Sequence, residues 1–364
     1  MTNPISQSAK PQFREATNLL RGICALAVLI WHYQHFFPQE TNADPFSKTD
    51  QPFYYLFSIA YNSGYLAVQI FWSISGLIMT HTYMQKGNTS ARDYAVSRFS
   101  RLYPLHFVTL IVVAVLQFVS FQKLDTFQIY KINDFFHFLL NLLFIQSWGF
   151  ERGYSFNAPT WSVSLEIGIY ILFFFVVSAL NKFKIWVPIT ILALYKLGVN
   201  IELTTPFGEC LAYFFSGVLI YFCSTFVTKN LSSVLALSLE VLCFLIIRNS
   251  DFILKKLGNE EIFYTAFLVF FIAQIDGSRV ATLLGKLRII GDLSYSVFLW
   301  HVPIQIVIRL VKEQFLIDQS TAYNELFFVF FIVTTYLVGY LSHKYIEQPT
   351  QRFIRKRFTK VIIL

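Results

Sequence analysis

"LRGICALAVLIWHYQHFF", residues 20–37, is apolar and long enough to cross a bilayer, yet it carries Arg21, His32 and His35. Ionisable side chains at membrane depth face a cavity or a partner. The run is therefore a membrane helix with one polar face turned toward protein. Arg21 and His32 are eleven residues apart. At about 100° per residue they lie within about 20° of one face and about 16 Å apart in height. His35, three residues further, stays near that face. On spacing alone, His32 is either a satisfied buried histidine bonded to another helix or a working base or ligand.

The rest of the chain has the same character. Of its 364 residues, 55% are hydrophobic, 41 are phenylalanine and only 14% are charged. With a mean hydropathy of +0.53 it is far more apolar than a soluble domain requires. The net charge of +8 does not indicate nucleic acid, because Lys and Arg sit between apolar runs rather than along one face. It is the signature of membrane topology. Cys24, Cys210, Cys223 and Cys243 lie inside apolar segments without a CxxC pair, so no disulfide or metal framework is expected. The polar residues 1–18 lack the form of a cleavable signal, so the first span is expected to be kept.

Apolar windows begin near Leu19, Gly64, Tyr103, Trp161, Ile185, Phe207, Leu231, Glu261, Ser294 and Glu325. An eleventh, from Asp134 to Trp148, is short. If it dips in and returns, the basic tail "RFIRKRFTK", "GSRVATLLGKLR", "ARDYAVSRFSR" and "NKFK" all share the cytoplasmic side, as basic loops should. The expected fold is therefore all-α and polytopic, with about ten transmembrane helices and one short re-entrant helix. Its misfit is "RNSDFILKKLGNEE", a partly basic loop left on the outer side. The expected divisions are a cytoplasmic segment 1–18, a transmembrane domain 19–348 and a basic cytoplasmic tail 349–364.

Two further constellations stand out. In "NAPTWSVSLEIGIY", Ser162, Glu166 and Tyr170 stack at i, i+4, i+8, and the topology puts Glu166 about 7 Å inside the outer surface. That approaches the depth of His32, whose protonated form a carboxylate there can steady; a carboxylate paired to an unrelated arginine is the alternative. In "RFSRLYPLHF", Arg98 and Arg101 share a helical face and suit phosphate oxygens, or simply anchor the span. His301 in "FLWHVPI" is either functional or packed, His106 is taken as interfacial, and Glu240 is a lone acid without a role.

Taken in order along the chain, these segments resemble the acyltransferase 3 family of membrane O-acyltransferases. The resemblance rests on Arg21, Gly22 and His32, on "FWSISGLIMT", on Arg98 and Arg101, on "PTWSVSLEIGIY" with Trp161, on "SYSVFLWHVPI", and on the closing "YIEQPTQRF". It implies transfer of an acyl group, usually acetyl, from acyl-CoA to a hydroxyl of a cell-envelope glycan or lipid-linked sugar. Acetyl-CoA would be a co-substrate, with no bound cofactor and no metal. By that analogy His32 is catalytic with Arg21 as companion; Glu166, from its depth, is expected to support it. The analogy puts Arg98 and Arg101 near the donor; His301 is expected to line the donor path, and His35, Ser162, Tyr170 and Trp161 are expected to be acceptor or supporting residues. The form without a C-terminal esterase-like domain is expected, in a bacterial inner membrane with both termini cytoplasmic. A secondary transporter or flippase using buried His and Glu for proton coupling is the alternative class.

Overall fold

The computed structural model describes residues 15–37, 47–86, 89–200, 205–230, 233–250, 260–276 and 278–358. Among them there is no strand. The helices in chain order are α1 (Glu15–Trp31), α2 (Tyr54–Ser63), α3 (Leu66–Lys86), α4 (Ala91–Leu124), α5 (Phe135–Leu142), α6 (Trp161–Phe183), α7 (Trp186–Asn200) and α8 (Pro206–Asn230). They continue as α9 (Ser233–Arg248), α10 (Glu260–Ile275), α11 (Arg279–Leu284), α12 (Arg288–Asp292), α13 (Ser294–Gln314), α14 (Glu325–Ser342) and α15 (Gln348–Phe358). Short 3-10 or π turns extend α1 over His32–Phe36 and join α14 to α15 over His343–Glu347.

Each of the ten apolar windows falls on a helix, and the chain is an integral membrane protein. Six of the described helices are long and apolar enough to cross a membrane, or seven if α2 and α3, bent by 66°, form one broken span. The count of ten is thus not reached by length and composition, because α7, α9 and α10 are shorter. The eleventh window behaves as a short element. The eight-residue α5 rises only about 12 Å, less than half of the hydrocarbon core. It is followed by an irregular turn with Gly149 at φ +93°. Large apolar side chains such as Phe118, Phe175 and Phe330 point outward, the arrangement helices adopt when lipid is the solvent. α1 starts at Glu15 and helical structure continues beyond residue 348 to Phe358, while 1–14, 251–259 in the misfit loop and 359–364 lie outside the described residues.

The chain divides into two compact units. The first comprises Met1–Gly22, Gln69–Gly87 and Phe175–Gly291. Its helices touch through small residues. A Cβ on Gly217 of α8 would fall 1.8 Å from the Ser73 carbonyl oxygen, and one on Gly76 of α3 would fall 1.9 Å from that of Phe214. Ser73 and Ser216 share a hydroxyl hydrogen bond of 3.2 Å at the same crossing. Lipid supplies little hydrophobic drive between helices, so close backbone approach and hydrogen bonding take its place. The start of α1 is held by Asp276, whose carboxylate accepts from the Ala16 N–H at 2.7 Å, the Thr17 N–H at 3.2 Å and the Thr17 hydroxyl. These include two backbone donors that a helix N-terminus leaves unsatisfied.

The second unit comprises Ile23–Val68, Asn88–Phe174 and Asp292–Leu364. Its core is aromatic, with Tyr33, Phe36, Phe37, Tyr61, Phe328 and Phe331 buried together. Tyr33 donates to the Ala322 carbonyl at 2.8 Å and Tyr61 to that of Pro52 at 2.9 Å, so the buried hydroxyls are satisfied. α13 packs against both α4 and α14, and α15 packs on α4, where Arg355 donates to the Ser100 hydroxyl at 3.2 Å.

Gly217→Ala is expected to destabilise the purified protein by about 1–3 kcal/mol, because the new methyl group meets backbone rather than a movable side chain. Gly208→Ala, whose added methyl would have no neighbour closer than 3.6 Å, is the control. Thermal unfolding in detergent checks this; equal midpoints for the two variants would contradict the tight crossing.

Candidate active site

Both polar clusters of interest lie in the second unit. The first is built on the end of α1. At His32 the helix tightens into the 3-10 turn His32–Phe36, which brings the rings of His32 and His35 to 5.1 Å. His32 Nδ1 lies 2.9 Å from the carbonyl oxygen of Val28, one turn back. A carbonyl only accepts, so Nδ1 carries the proton and Nε2 keeps its lone pair.

His301, fully buried on α13, stacks obliquely on His32 with ring centroids 4.8 Å apart. Its Nδ1 donates in the same way to the Phe298 carbonyl. Its Nε2 is buried with no hydrogen-bond partner among the described residues. Two imidazoles are thus tethered in one tautomer, each with an acceptor nitrogen left over.

One stripe of α13 holds this arrangement. His301, Gln305 and Arg309 recur at i, i+4, i+8 and so share a face. Gln305 donates to the His32 carbonyl at 2.7 Å and presents its own oxygen to His35 Nδ1 at 3.1 Å. Arg309 donates to the His35 carbonyl and to Gln128 Oε1 at 2.9 Å. Gln128 is locked in turn by reciprocal bonds with Gln117 of α4, at 2.8 and 2.9 Å. The orphan carbonyls at the end of α1 are therefore satisfied by a neighbouring helix. Sequence reasoning missed Gln305 and Arg309, although their four-residue spacing from His301 was a usable signal.

The second cluster joins α4, α6 and the start of α13. Tyr170 donates to Glu166 Oε1 at 2.5 Å, and the Arg98 guanidinium lies 5.7 Å from the Tyr170 ring centre. Tyr94 donates to the Tyr170 carbonyl at 2.7 Å. Tyr295 donates at 2.6 Å to the carbonyl of Leu102, the residue after Arg101. Arg101 and Glu166 act electrostatically on both tyrosines, and Glu347 on Tyr295. Glu347 accepts from Ser296 at 2.6 Å and pairs with His343 at 2.9 Å, tying the "YIEQP" segment to α13. Arg98 and Arg101, with Arg355 nearby through Ser100, make this end cationic.

The expected residues thus separate into groups. His32, His35 and His301 come together, and so do Arg98, Arg101, Glu166 and Tyr170. Glu166 is bonded to Tyr170, and the bond that orients the His32 ring comes from Val28 instead. His301 stands beside His32 rather than among the arginines. Ser162 donates to the Pro159 carbonyl at 3.1 Å in the first turn of α6, where Trp161 begins the helix. Arg21 lies on α1 within the first unit, where it donates to Asn18. His106 is fully buried, not interfacial: its Nε2 lies 2.8 Å from the Asn141 carbonyl and its ring stacks on Phe144. Glu240 is buried, and neither of its oxygens has a hydrogen-bond partner among the described residues. No group of three His, Cys, Asp or Glu among the described residues is placed to hold a metal ion.

The O-acetyltransferase OatA of Staphylococcus aureus is 24% identical over 332 residues, which cover 80% of this chain and 53% of that protein. The chain therefore spans about half the length of these curated relatives. ORF330 of Acidianus two-tailed virus, an acetyltransferase by name, is 23% identical over 301 residues, covering 76% of this chain and 86% of that protein. The acyltransferase MdmB of Streptomyces mycarofaciens is 31% identical over 112 residues, 30% of this chain and 27% of that protein. No solved structure matches. The model of the acyltransferase domain matches residues 14–343, and the chain accordingly belongs to the acyltransferase 3 family.

Proposed function

We propose that the protein transfers an acyl group, most simply acetyl, from acyl-CoA to a hydroxyl of a cell-envelope glycan or lipid-linked sugar. The observation that carries this is the His32 imidazole, tethered through Nδ1 so that Nε2 is free to take a proton. A hydroxyl is a poor nucleophile until a base within hydrogen-bond reach accepts its proton, a contribution worth typically 10²- to 10⁴-fold. Nε2 of His32 removes that proton as the oxygen attacks the thioester carbonyl. The tetrahedral intermediate then expels the coenzyme A thiolate, which recovers the proton from the imidazolium. His301 lies against the same ring, and its own Nε2, unpartnered among the described residues, is available to a second hydroxyl of the acceptor. In a variant of this route His32 Nε2 attacks the thioester carbonyl and expels the coenzyme A thiolate, and the hydroxyl then takes the acyl group from Nε2 as its proton passes to the freed nitrogen and on to the thiolate.

The arginine pair supplies the donor end. Two guanidiniums, Arg98 at the Tyr170 ring and Arg101 next in sequence to the Leu102 carbonyl that Tyr295 holds, suit the phosphates of coenzyme A, since Arg binds phosphate through parallel N–H donors. Tyr295 and His301 are separated by about 9 Å along α13, so a thioester chain running along the helix joins the two clusters. The topology consistent with this is a cytoplasmic arginine end, both termini inside and a bacterial inner membrane, with the transmembrane domain carrying the whole reaction.

Purified protein with radiolabelled acetyl-CoA tests the assignment. His32→Ala is expected to lose at least 10²-fold in release of free coenzyme A while remaining folded, with only a modest fall in unfolding temperature from the lost ring contacts and the Val28 bond. Full activity in that variant would sink the assignment. Label retained on wild type but not on His32→Ala marks the acyl-histidine route. Arg98→Ala combined with Arg101→Ala should raise the Kd for coenzyme A about tenfold or more with little effect on acceptor binding; an unchanged donor Kd would make the pair a topological anchor. Gln305→Leu, which removes two bonds from the histidine turn, is expected to slow turnover about tenfold. Wild-type turnover in that variant would show that Gln305 does not hold the base.

A further inference from the structure

Within the second unit, α15 carries Arg352, Arg355, Lys356 and Arg357, and they are placed differently. Arg352 donates to Gln348 of its own helix at 3.0 Å, and Lys356 and Arg357 are exposed. Arg355 instead reaches α4, where its Nε donates to the buried hydroxyl of Ser100 at 3.2 Å while the residue as a whole remains exposed. Ser100 donates in turn to the Ser97 carbonyl at 3.3 Å, and the Ser97 hydroxyl accepts from Arg98 Nη2 at 3.1 Å. One helical turn thus orients two guanidiniums through serine hydroxyls, which fix direction without cancelling charge. This is not the placement of a loose tail. α15 packs along α4, and Glu347 just before it is bound to Ser296 and His343.

Ser100 precedes Arg101 by one residue, so it lies about 1.5 Å away in height but about 100° round the helix, and about 160° from Arg98. Arg98 and Arg101 are only about 60° apart. Arg355, held at Ser100, therefore stands apart from the pair within one turn of α4. Coenzyme A divides its phosphates in the same way: a diphosphate links pantetheine to adenosine, and a separate monoester sits on the ribose 3′ oxygen. The diphosphate falls to the pair, which adjoins α13 through Leu102 and Tyr295. The monoester, close to a dianion at neutral pH, falls to the single guanidinium, whose planar fork meets two phosphate oxygens at once. We infer that Arg355 binds the 3′-phosphate and makes the donor site selective for coenzyme A over thioester carriers without that group. This rests on the acyltransferase reading above and adds to it a specificity residue from the last helix.

Equilibrium binding of coenzyme A and of 3′-dephospho-coenzyme A to the purified full chain in detergent is the test. Wild type should bind coenzyme A about tenfold or more tightly, the scale of one charge-assisted contact. Arg355→Gln should bring coenzyme A down to the affinity of the dephospho form and leave the latter unchanged. Arg355→Lys should keep part of the preference, and Lys356→Gln, the exposed neighbour, should keep all of it. Equal wild-type affinity for the two ligands, or an undiminished preference in Arg355→Gln, overturns the proposal. So does an equal loss for both ligands in Arg355→Gln, which would make the residue a tether for α15, and so does the same loss of preference in Lys356→Gln, which would make it an effect of general charge. Arg355→Met, which keeps the apolar stem, replaces Arg355→Gln should that variant not fold. Wild-type cleavage of acetyl-CoA is measured separately: its absence defeats the acyltransferase reading and this role with it, whereas intact cleavage with equal binding of the two ligands defeats only the role of Arg355.

Discussion

The hydrogen bond from His32 Nδ1 to the Val28 carbonyl is the interaction around which the second unit's polar interior is arranged. A helix end inside a membrane protein leaves carbonyls that water cannot reach, and an imidazole there has two nitrogens to account for. The ring satisfies one carbonyl with one nitrogen. Gln305 and Arg309 satisfy the carbonyls of His32 and His35, and Gln128 and Gln117 hold Arg309 in place. The outcome is a chain of satisfied groups beside which His301 Nε2 is left without a partner among the described residues. An unpartnered acceptor beside a satisfied network is a place where chemistry is economically put.

α13 organises both clusters because its two ends meet different needs. Its first turn bears Tyr295 and Ser296, bonded to Leu102 of α4 and to Glu347 beyond α14. Its middle bears His301 and Gln305 against the end of α1. The "YIEQP" segment, distant in sequence from every histidine of the cluster, is tied to α13 through the Glu347 carboxylate.

The first unit uses a different device. Its α3–α8 crossing depends on the absence of side chains at Gly76 and Gly217 and on two serine hydroxyls that meet each other. Aromatic mass does the corresponding work in the second unit, where Tyr33, Phe36, Phe328 and Phe331 fill the core and the tyrosine hydroxyls find carbonyl partners. Close backbone contact and interlocked rings are both answers to a solvent as apolar as the side chains themselves.

Much was legible in the sequence. Apolar windows located the long helices, because a membrane span needs a certain length of apolar chain whatever it packs against. The shortness of Asp134–Trp148 announced an element that does not cross. His32, Arg98, Arg101, Glu166 and Tyr170 stood out because ionisable groups are conspicuous against hydrocarbon. Partnership was not legible. The i, i+4 spacing of Glu166 and Tyr170 gave their contact away, but only tertiary structure assigned the His32 ring to Val28 rather than to Glu166 and brought His301 to it from 269 residues away in the chain. It also revealed Gln305 and Arg309 as the clamp and His106 as buried against Phe144. Depth along a helix follows from counting residues, whereas the azimuth at which one helix meets another depends on side-chain packing that no single segment contains.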